Sequence, residues 1–276
     1  MSDIGANNTT HTNIGGDLQS LASSITAVTS PFRTYLNELH QKYQTVNEGE
    51  LADYIPELTL ANPDWFGICV VTADGQVFEV GNCDQLFTIQ SVSKAFVFGL
   101  ALEEHGREYV NSKVSVEPTG EAFNSIVLDE ETNRPYNPMV NAGAIATTDL
   151  IKGHTCTERL KKLLDMFGRY TGREHDINVP IFLSEKGTGF RNQAMAYLMR
   201  NFGMVSDNID TTLDLYFQQC SMMVNARDLA MLSATLANGG KNPVTGVQAI
   251  DERYVQDVIS VMLSCGMYDG SGEWAY

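Results

Sequence analysis

A serine and a lysine stand three residues apart in a long apolar stretch. Ser91 and Lys94 lie within residues 87–102, whose other members are mostly apolar. Positions i and i+3 of a helix share one face, so the Ser91 hydroxyl and the Lys94 amine can meet. Burial among apolar residues lowers the pKa of a lysine, and a neutral amine can take the proton of a serine. The S-x-x-K pattern therefore predicts a serine nucleophile with a lysine base.

The same four residues also have a purely structural interpretation. Ser91 or Ser93 can cap the helix, and Lys94 can extend its amine to solvent. Short Ser…Lys patterns also arise by chance in many chains of this length. The apolar residues that directly follow Lys94, Ala-Phe-Val-Phe, favour catalysis because they leave the amine with few polar neighbours in the sequence.

The elements around this stretch predict an α+β domain. Residues 65–72 and 76–81 flank Ala73-Asp74-Gly75 and are typical of a β-hairpin. The helix that carries Ser91 is expected to end at Gly106. Further helices are predicted over residues 31–43, 141–152, 157–167, 190–202, 211–220, 225–237 and 251–265.

Three segments have less regular signals. We expect a short helix over residues 49–58 closed by Pro56, a loop over residues 184–189, and the beginning of a strand at residues 273–276. One hairpin among so many helices is marginal as a sheet, so we expect it to need further strands.

The composition argues against several classes of function. The 276 residues carry 34 acidic and 18 basic side chains, a net charge of −16, which disfavours nucleic acid and anionic membranes as partners. No apolar run reaches the ~18 residues of a membrane span, and we expect no secretory signal. Five scattered cysteines without a C-x-x-C pair predict reduced thiols and a cytoplasmic protein. The dispersed histidines predict no metal site.

Four separated motifs give the chain a resemblance to a known enzyme family. They are QSVSK at 90–94, NPMVNAGA at 137–144, LANGG at 236–240 and CGMYDGSG at 265–272. Together they resemble the serine-dependent glutaminases over about residues 54–276. The resemblance implies the β-lactamase / penicillin-binding-protein fold, with an antiparallel sheet and a helical subdomain. It further implies hydrolysis of L-glutamine to L-glutamate and ammonia without a cofactor, by a homo-dimer or tetramer.

The resemblance also implies roles for individual residues. Ser91 matches the nucleophile, Lys94 its base, and Tyr268 an active-site tyrosine able to shuttle a proton to the leaving nitrogen. Glu185 is expected to pair with the substrate α-ammonium. The other implied substrate-binding residues are Asn141, Asn192, Tyr216 and, at the mouth of the pocket, Tyr54. Structural alternatives exist for all of them, because asparagines cap helices, exposed carboxylates are solvated, and tyrosines pack in cores.

Two further patterns bear on the activity within this fold. Ser206-Asp207-Asn208 matches the S-D-N motif of β-lactamases, but capping or turn chemistry explains it better. Residues 186–189 read K-G-T-G instead of K-T-G and precede Ser206. The altered motif and its order disfavour β-lactamase or peptidase activity.

The resemblance implies C-terminal strands that are missing here after Tyr276. One of them carries Lys-Ser-Gly-Val and supplies a backbone N–H to the oxyanion hole. We therefore expect a frayed N-terminus at residues 1–30 and a C-terminally truncated glutaminase domain at residues 31–276. Losing one oxyanion donor commonly lowers the rate ~100- to 1,000-fold. Three hypotheses remain: a glutaminase, another acyl-serine amidase, and an inactive glutaminase-like chain that associates with full-length subunits.

Overall fold

The computed structural model describes residues 30–276. The frayed N-terminus predicted over residues 1–30 lies, apart from Ser30, outside the described residues. The described chain has an α+β fold in which helices predominate. Its elements in chain order are α1 (Pro31–Tyr43), β1 (Gly67–Val71), β2 (Val77–Gly81), β3 (Phe87–Thr88), α2 (Ser93–Lys113), α3 (Asn141–Asp149), α4 (Cys156–Thr171), α5 (Val179–Thr188), α6 (Phe190–Asn201), α7 (Ile209–Cys220), β4 (Met223–Val224), α8 (Ala226–Ala237), α9 (Glu252–Cys265) and α10 (Ser271–Ala275).

Two short antiparallel strand pairs accompany the helices. β1 and β2 form the predicted hairpin, with Gly67 opposite Gly81 and Val71 opposite Val77. Gly75 supplies the left-handed conformation of its turn, with φ of 87°. The second pair joins β3 to β4, with Phe87 opposite Val224. This pair fixes the strand that leads directly into the segment carrying Ser91.

Helix α2 forms the centre of the larger hydrophobic core. All ten residues from 93 to 102 are buried, and they pack against α3, α4 and α9. The Phe96 ring lies edge-on to Tyr170 at a centroid distance of 5.0 Å. A helix buried on all sides needs an unbroken apolar run rather than an amphipathic pattern, which accounts for the composition of this stretch.

The prediction that the helix after Ser91 ends at Gly106 is confirmed for the first segment of α2. Gly106 adopts φ of 77° and ψ of 162°, which ends the helical conformation that begins at Ser93, and a second helical segment follows as far as Lys113. The prediction of a short helix closed by Pro56 is wrong. Pro56 opens a 3₁₀ helix, Pro56–Leu60, because a fixed φ and a missing N–H are tolerated in a first turn.

Two predictions nearer the site are wrong as well. Residues 184–188 are the last turns of α5 and not a loop. The Asn178 side chain caps this helix by accepting from the N–H of Ile181, and Pro180 lies in its first turn. Residues 273–276 do not begin a strand, because residues 271–275 form the single-turn helix α10.

Within residues 30–276, no helix is both long enough and apolar enough to cross a bilayer.

Candidate functional site

Ser91 opens onto a cavity of about 460 Å³ between the helices that follow the β3 strand. Pockets for small molecules commonly have this size. Seven of the eight residues predicted for the site line it: Tyr54, Ser91, Asn141, Glu185, Asn192, Tyr216 and Tyr268. The eighth, Lys94, is buried directly behind the wall.

Strained backbone borders this cavity on two sides. Gln90, the residue before Ser91, has φ of 50°, and Tyr268 has φ of 54°. Among the described non-glycine residues, only Asn133 shares this left-handed conformation. Such conformations are unfavourable for residues with a Cβ and concentrate at functional sites. Ser91 follows Gln90 in a 3₁₀ turn, Gln90–Val92, which leads into α2 at Ser93.

Lys94 is fully buried, with 0% of its side chain exposed. Its Nζ donates to the Met139 carbonyl at 2.9 Å and to the Asn141 side-chain oxygen at 2.7 Å. Both acceptors are neutral, and desolvation lowers the pKa of Lys94 to about 8. A neutral amine has two N–H groups and one lone pair. The two acceptors therefore satisfy both N–H groups and leave the lone pair to accept a proton.

Tyr268 and Phe123 cover the amine from the cavity side. Lys94 Nζ lies 5.4 Å from the centre of the Tyr268 ring and 5.7 Å from that of Phe123. The two ring centres are 5.2 Å apart. Burial raises the pKa of the Tyr268 phenol, and hydrogen bonding with the Ser91 side chain opposes that rise. Ser91 and Tyr268 thus line one cavity, and the Lys94 amine lies near the Tyr268 ring.

Asn141 joins the lysine to the binding side of the cavity. Its side-chain oxygen accepts from Lys94, while its amide nitrogen donates to the Asn192 oxygen at 3.0 Å. The residue at the N-cap of α3 is Val140, and that of α6 is Gly189. The capping alternative therefore does not account for either asparagine.

Glu185 brings a carboxylate to the opposite wall, from the last turns of α5. Burial raises its pKa to about 7, and the charge of Lys94 lowers it in part. Tyr216 on α7 is only 3% exposed and both packs in the core and lines the cavity. Tyr54 is 60% exposed and stands at the rim. The cavity lining thus holds one carboxylate and the Arg191 guanidinium beside neutral amide and phenol groups.

Asn137 is a site residue that the sequence predictions omit. Its side-chain oxygen accepts from the N–H groups of Met139 at 3.0 Å and Val140 at 3.2 Å, and its amide nitrogen donates to the Glu117 carbonyl. This turn holds the Met139 carbonyl that accepts from Lys94. Gly143 is required beside it, because a Cβ there would lie 1.9 Å from the Asn137 carbonyl oxygen. The NPMVNAGA motif at 137–144, which begins with Asn137, was the sequence signal that could have identified this residue.

The S-D-N motif lies apart from this cavity. The Ser206 hydroxyl donates to the Asp149 carboxylate at 2.8 Å, and Asp207 pairs with Arg200. Residues 186–188 of the K-G-T-G sequence belong to α5. Asn208 occupies the N-cap of α7 without a side-chain capping hydrogen bond, so a hydrogen bond and an ion pair, rather than capping, engage the S-D-N motif. Thr188 and Gly189 of the K-G-T-G sequence line the cavity.

A larger cavity of about 920 Å³ lies beside α4 and is lined by none of the predicted site residues. Over the described residues, no group of histidine, cysteine, aspartate and glutamate side chains has the arrangement of a metal site.

Comparison with known proteins identifies relatives of this chain. The glutaminase family model matches residues 49–276. A glutaminase of Microcystis aeruginosa is 76% identical over 246 residues, covering 89% of this chain and 73% of that protein. A glutaminase of Trichormus variabilis is 62% identical over 247 residues, covering 90% of this chain and 74% of that protein.

Solved structures with the same fold include glutaminases. The native form of Mglu has a TM-score of 0.85 at 38% identity, covering 90% of this chain and 60% of that one. A probable glutaminase, ybaS, has a TM-score of 0.85 at 35% identity, covering 88% of this chain and 79% of that one. The chain thus spans about three-quarters of these curated relatives and less than two-thirds of the Mglu chain.

Proposed function

Because this chain belongs to the glutaminase family and has its serine β-lactamase-like α+β fold, we propose that it hydrolyses L-glutamine through an acyl-enzyme on Ser91. The observation that carries this mechanism is the state of Lys94. Its amine is fully buried, its pKa is lowered to about 8, and neutral acceptors hold its N–H groups beside the Ser91–Tyr268 pair. A buried amine of this kind is suited to serve as a base near neutral pH.

In the first half-reaction, Ser91 Oγ attacks the side-chain carbonyl carbon of glutamine, and Lys94 accepts the hydroxyl proton. The tetrahedral intermediate collapses as its carbon–nitrogen bond breaks. The nitrogen takes a proton from the Tyr268 hydroxyl, which is replenished from Lys94, and leaves as ammonia. Burial raises the pKa of Tyr268, so its hydroxyl stays protonated at neutral pH and can donate. A glutamyl ester on Ser91 remains.

In the second half-reaction, water attacks that ester. Lys94 accepts one proton of the water, and the Ser91 oxygen regains a proton as the ester bond breaks. L-Glutamate is released, and serine and lysine return to their starting states. No redox step or additional reactant is needed.

Substrate recognition follows from the charges around the cavity. The Glu185 carboxylate pairs with the α-ammonium, and this cation favours the ionised form of a carboxyl whose pKa burial has raised. The Asn192 oxygen is already occupied by Asn141, so its amide nitrogen is the group available to the α-carboxylate. Tyr216 adds a neutral phenol. This arrangement suits a free amino acid rather than a peptide, whose amine and carboxylate are blocked.

A second candidate is an inactive glutaminase-like chain that associates with full-length glutaminase subunits. It is favoured by an apolar groove of about 860 Å³ beside β1, into which Trp65, Leu86 and Phe87 are partly exposed. Self-association as a dimer or tetramer would cover similar surface. The five unpaired cysteines support a cytoplasmic location for either form.

Ammonia release by the purified chain tests the first proposal. We expect release from L-glutamine and much less from L-asparagine, whose carbonyl is one methylene closer to the α-carbon. Ser91→Ala should abolish it. Ser112→Ala, which removes an exposed hydroxyl from α2, the helix that follows Ser91, is the matched control and should retain it. Unchanged release by the Ser91→Ala variant would contradict the mechanism. No release by the purified chain, together with its stable association with a full-length glutaminase, would favour the second candidate.

A further inference from the structure

A chain of buried hydrogen bonds ends on the residue before Ser91. The Thr148 hydroxyl lies 2.9 Å from the Gln219 side-chain oxygen and 2.8 Å from the Ala144 carbonyl oxygen, and the Gln219 amide nitrogen donates to Ser93 Oγ at 3.0 Å. Ser93 Oγ in turn donates to the Gln90 carbonyl at 2.7 Å. The side chains of Thr148, Gln219 and Ser93 are all 0% exposed.

This chain of hydrogen bonds connects three helices and runs in one direction, from α3 to the residue before Ser91. Thr148 belongs to α3, Gln219 to α7 and Ser93 to α2. Gln219 and Ser93 both donate towards Gln90, and hydrogen bonds arranged head to tail polarise and strengthen one another in a low-dielectric interior. Gln219 uses its oxygen and its nitrogen within the chain, so its orientation is determined. Buried polar side chains are unfavourable unless they are satisfied in this way, and apolar residues would fill the same volume.

The end point of the chain is the strained backbone of Gln90. With φ of 50°, Gln90 is held in a conformation that a residue with a Cβ rarely adopts. Its side chain is anchored separately, because Nε2 donates to the Thr88 hydroxyl at 3.0 Å. A relaxed Gln90 would turn the next residue, Ser91, which lines the cavity together with Tyr268.

We propose that Ser93, Gln219 and Thr148 are positioning residues that hold the left-handed Gln90 and thereby aim the Ser91 hydroxyl at its base. This inference rests on the proposed function. None of the three side chains lines the cavity, so their effect must pass through Gln90. Misplacing a nucleophile by about 1 Å can lower the rate about 100-fold. Substrate contacts at Glu185 and Asn192 are untouched, so the loss falls on kcat rather than KM.

A pair of neighbouring threonines provides the test. Thr148→Val keeps the shape of the side chain and removes the hydroxyl. Thr147 is equally buried in the same helix, and its hydroxyl donates to the Ala144 carbonyl at 3.0 Å, but it is not part of the chain to Gln90. Thr147→Val is therefore the matched control. We expect a roughly tenfold lower kcat for Thr148→Val, with KM within about twofold, and a kcat near wild type for Thr147→Val.

Ser93→Ala removes the link that contacts Gln90 itself, and we expect a loss in kcat of about 10- to 100-fold. Thr148→Ser retains the hydroxyl, so its kcat should lie closer to that of the wild type than to that of Thr148→Val. Thermal unfolding of every variant separates a loss of folded protein from a loss of rate. If Thr148→Val is unstable, Ser93→Ala decides the question.

Labelling of Ser91 distinguishes failure of this inference from failure of the proposed function. The probe is a glutamine analogue carrying a diazoketone, and the readout is its rate of attachment to the Ser91 peptide. Slower labelling in Ser93→Ala and Thr148→Val than in Thr147→Val supports positioning. Equal labelling rates and equal kcat values across the variants would overturn it while leaving the function intact. An unaltered chain that neither labels at Ser91 nor releases ammonia would overturn the function, and this inference with it.

Discussion

Replacing Glu185 with glutamine tests the charges of the cavity. Burial raises the pKa of Glu185 to about 7 and lowers that of Lys94 to about 8. In the free enzyme, Glu185 must be ionised to pair with the α-ammonium, and Lys94 must be neutral to accept the Ser91 proton. Both conditions fail as the pH falls. The logarithm of kcat/KM should therefore decline with slope one below about pH 8 and slope two below about pH 7.

The size of the effect follows from these two pKa values. At about pH 6, roughly one Lys94 in a hundred is neutral and roughly one Glu185 in ten is ionised, so kcat/KM lies about 1,000-fold below its plateau. In Glu185→Gln only the requirement for a neutral Lys94 remains, so kcat/KM at about pH 6 lies at most about 100-fold below the plateau of that variant. The Glu185 charge raises the pKa of Lys94, so its removal also moves the remaining decline below about pH 8. Loss of the charge-assisted hydrogen bond should raise KM about 10- to 100-fold.

Initial rates of ammonia release between about pH 5.5 and 8.5 measure both changes, because the substrate α-ammonium stays largely protonated over this range. Glu174→Gln is the control, since it removes an exposed carboxylate outside the cavity and alters the net charge equally. It should keep the wild-type profile. A slope of two that persists in Glu185→Gln, together with an unchanged KM, would refute the assignment of Glu185.

Three further substitutions have defined outcomes. Lys94→Met keeps the volume and removes the amine, so kcat should fall at least about 1,000-fold in protein that thermal unfolding shows to be folded; a wild-type rate would contradict the base assignment. Tyr268→Phe keeps the ring and removes the hydroxyl, so kcat should fall about 100-fold with KM within about threefold, and a large change confined to KM would exclude a proton-transfer role. Gly143→Ala places a Cβ 1.9 Å from the Asn137 carbonyl oxygen and should lower the free energy of unfolding in urea by about 3 kcal/mol or more. Gly187→Ala, where a Cβ would meet no atom within 4 Å, should not destabilise the fold; equal stability of the two variants would contradict the close approach.

The surroundings of the nucleophile were predictable because their signals are local. An unbroken apolar run after Lys94 indicated a buried helix, and the i, i+3 spacing placed the serine one turn before the amine. The hairpin was equally local, since Asp74-Gly75 separates two β-rich segments. These features need no information about the rest of the chain.

The helix that carries Glu185 was not predictable in this way. Residues 184–189 contain serine, threonine and two glycines, which favour a loop. In the structure α5 packs against α7 and the Pro56–Leu60 helix, and this tertiary packing overrides the local preference. The resemblance to glutaminases indicated Glu185 as a site residue, whereas its conformation depended on distant contacts.

Phe123 and Gln219 were missed for a different reason. Phe123 lies in an irregular segment without periodicity, yet its ring covers Lys94 and Tyr268. Gln219 is one of several polar residues in α7, and a sequence does not tell which distant hydroxyls it will meet. Composition indicates that a residue is polar, but only the assembled core determines its partners.

The most direct test of the account is the identity of the residue that carries the glutamyl group during turnover. The chain would be saturated with L-glutamine, quenched rapidly in acid and digested, and its peptides examined by mass spectrometry. We predict a glutamyl ester on the peptide that contains Ser91, and neither ester nor ammonia release in Ser91→Ala. An ester on another residue, or continued ammonia release by the Ser91→Ala variant, would contradict the account.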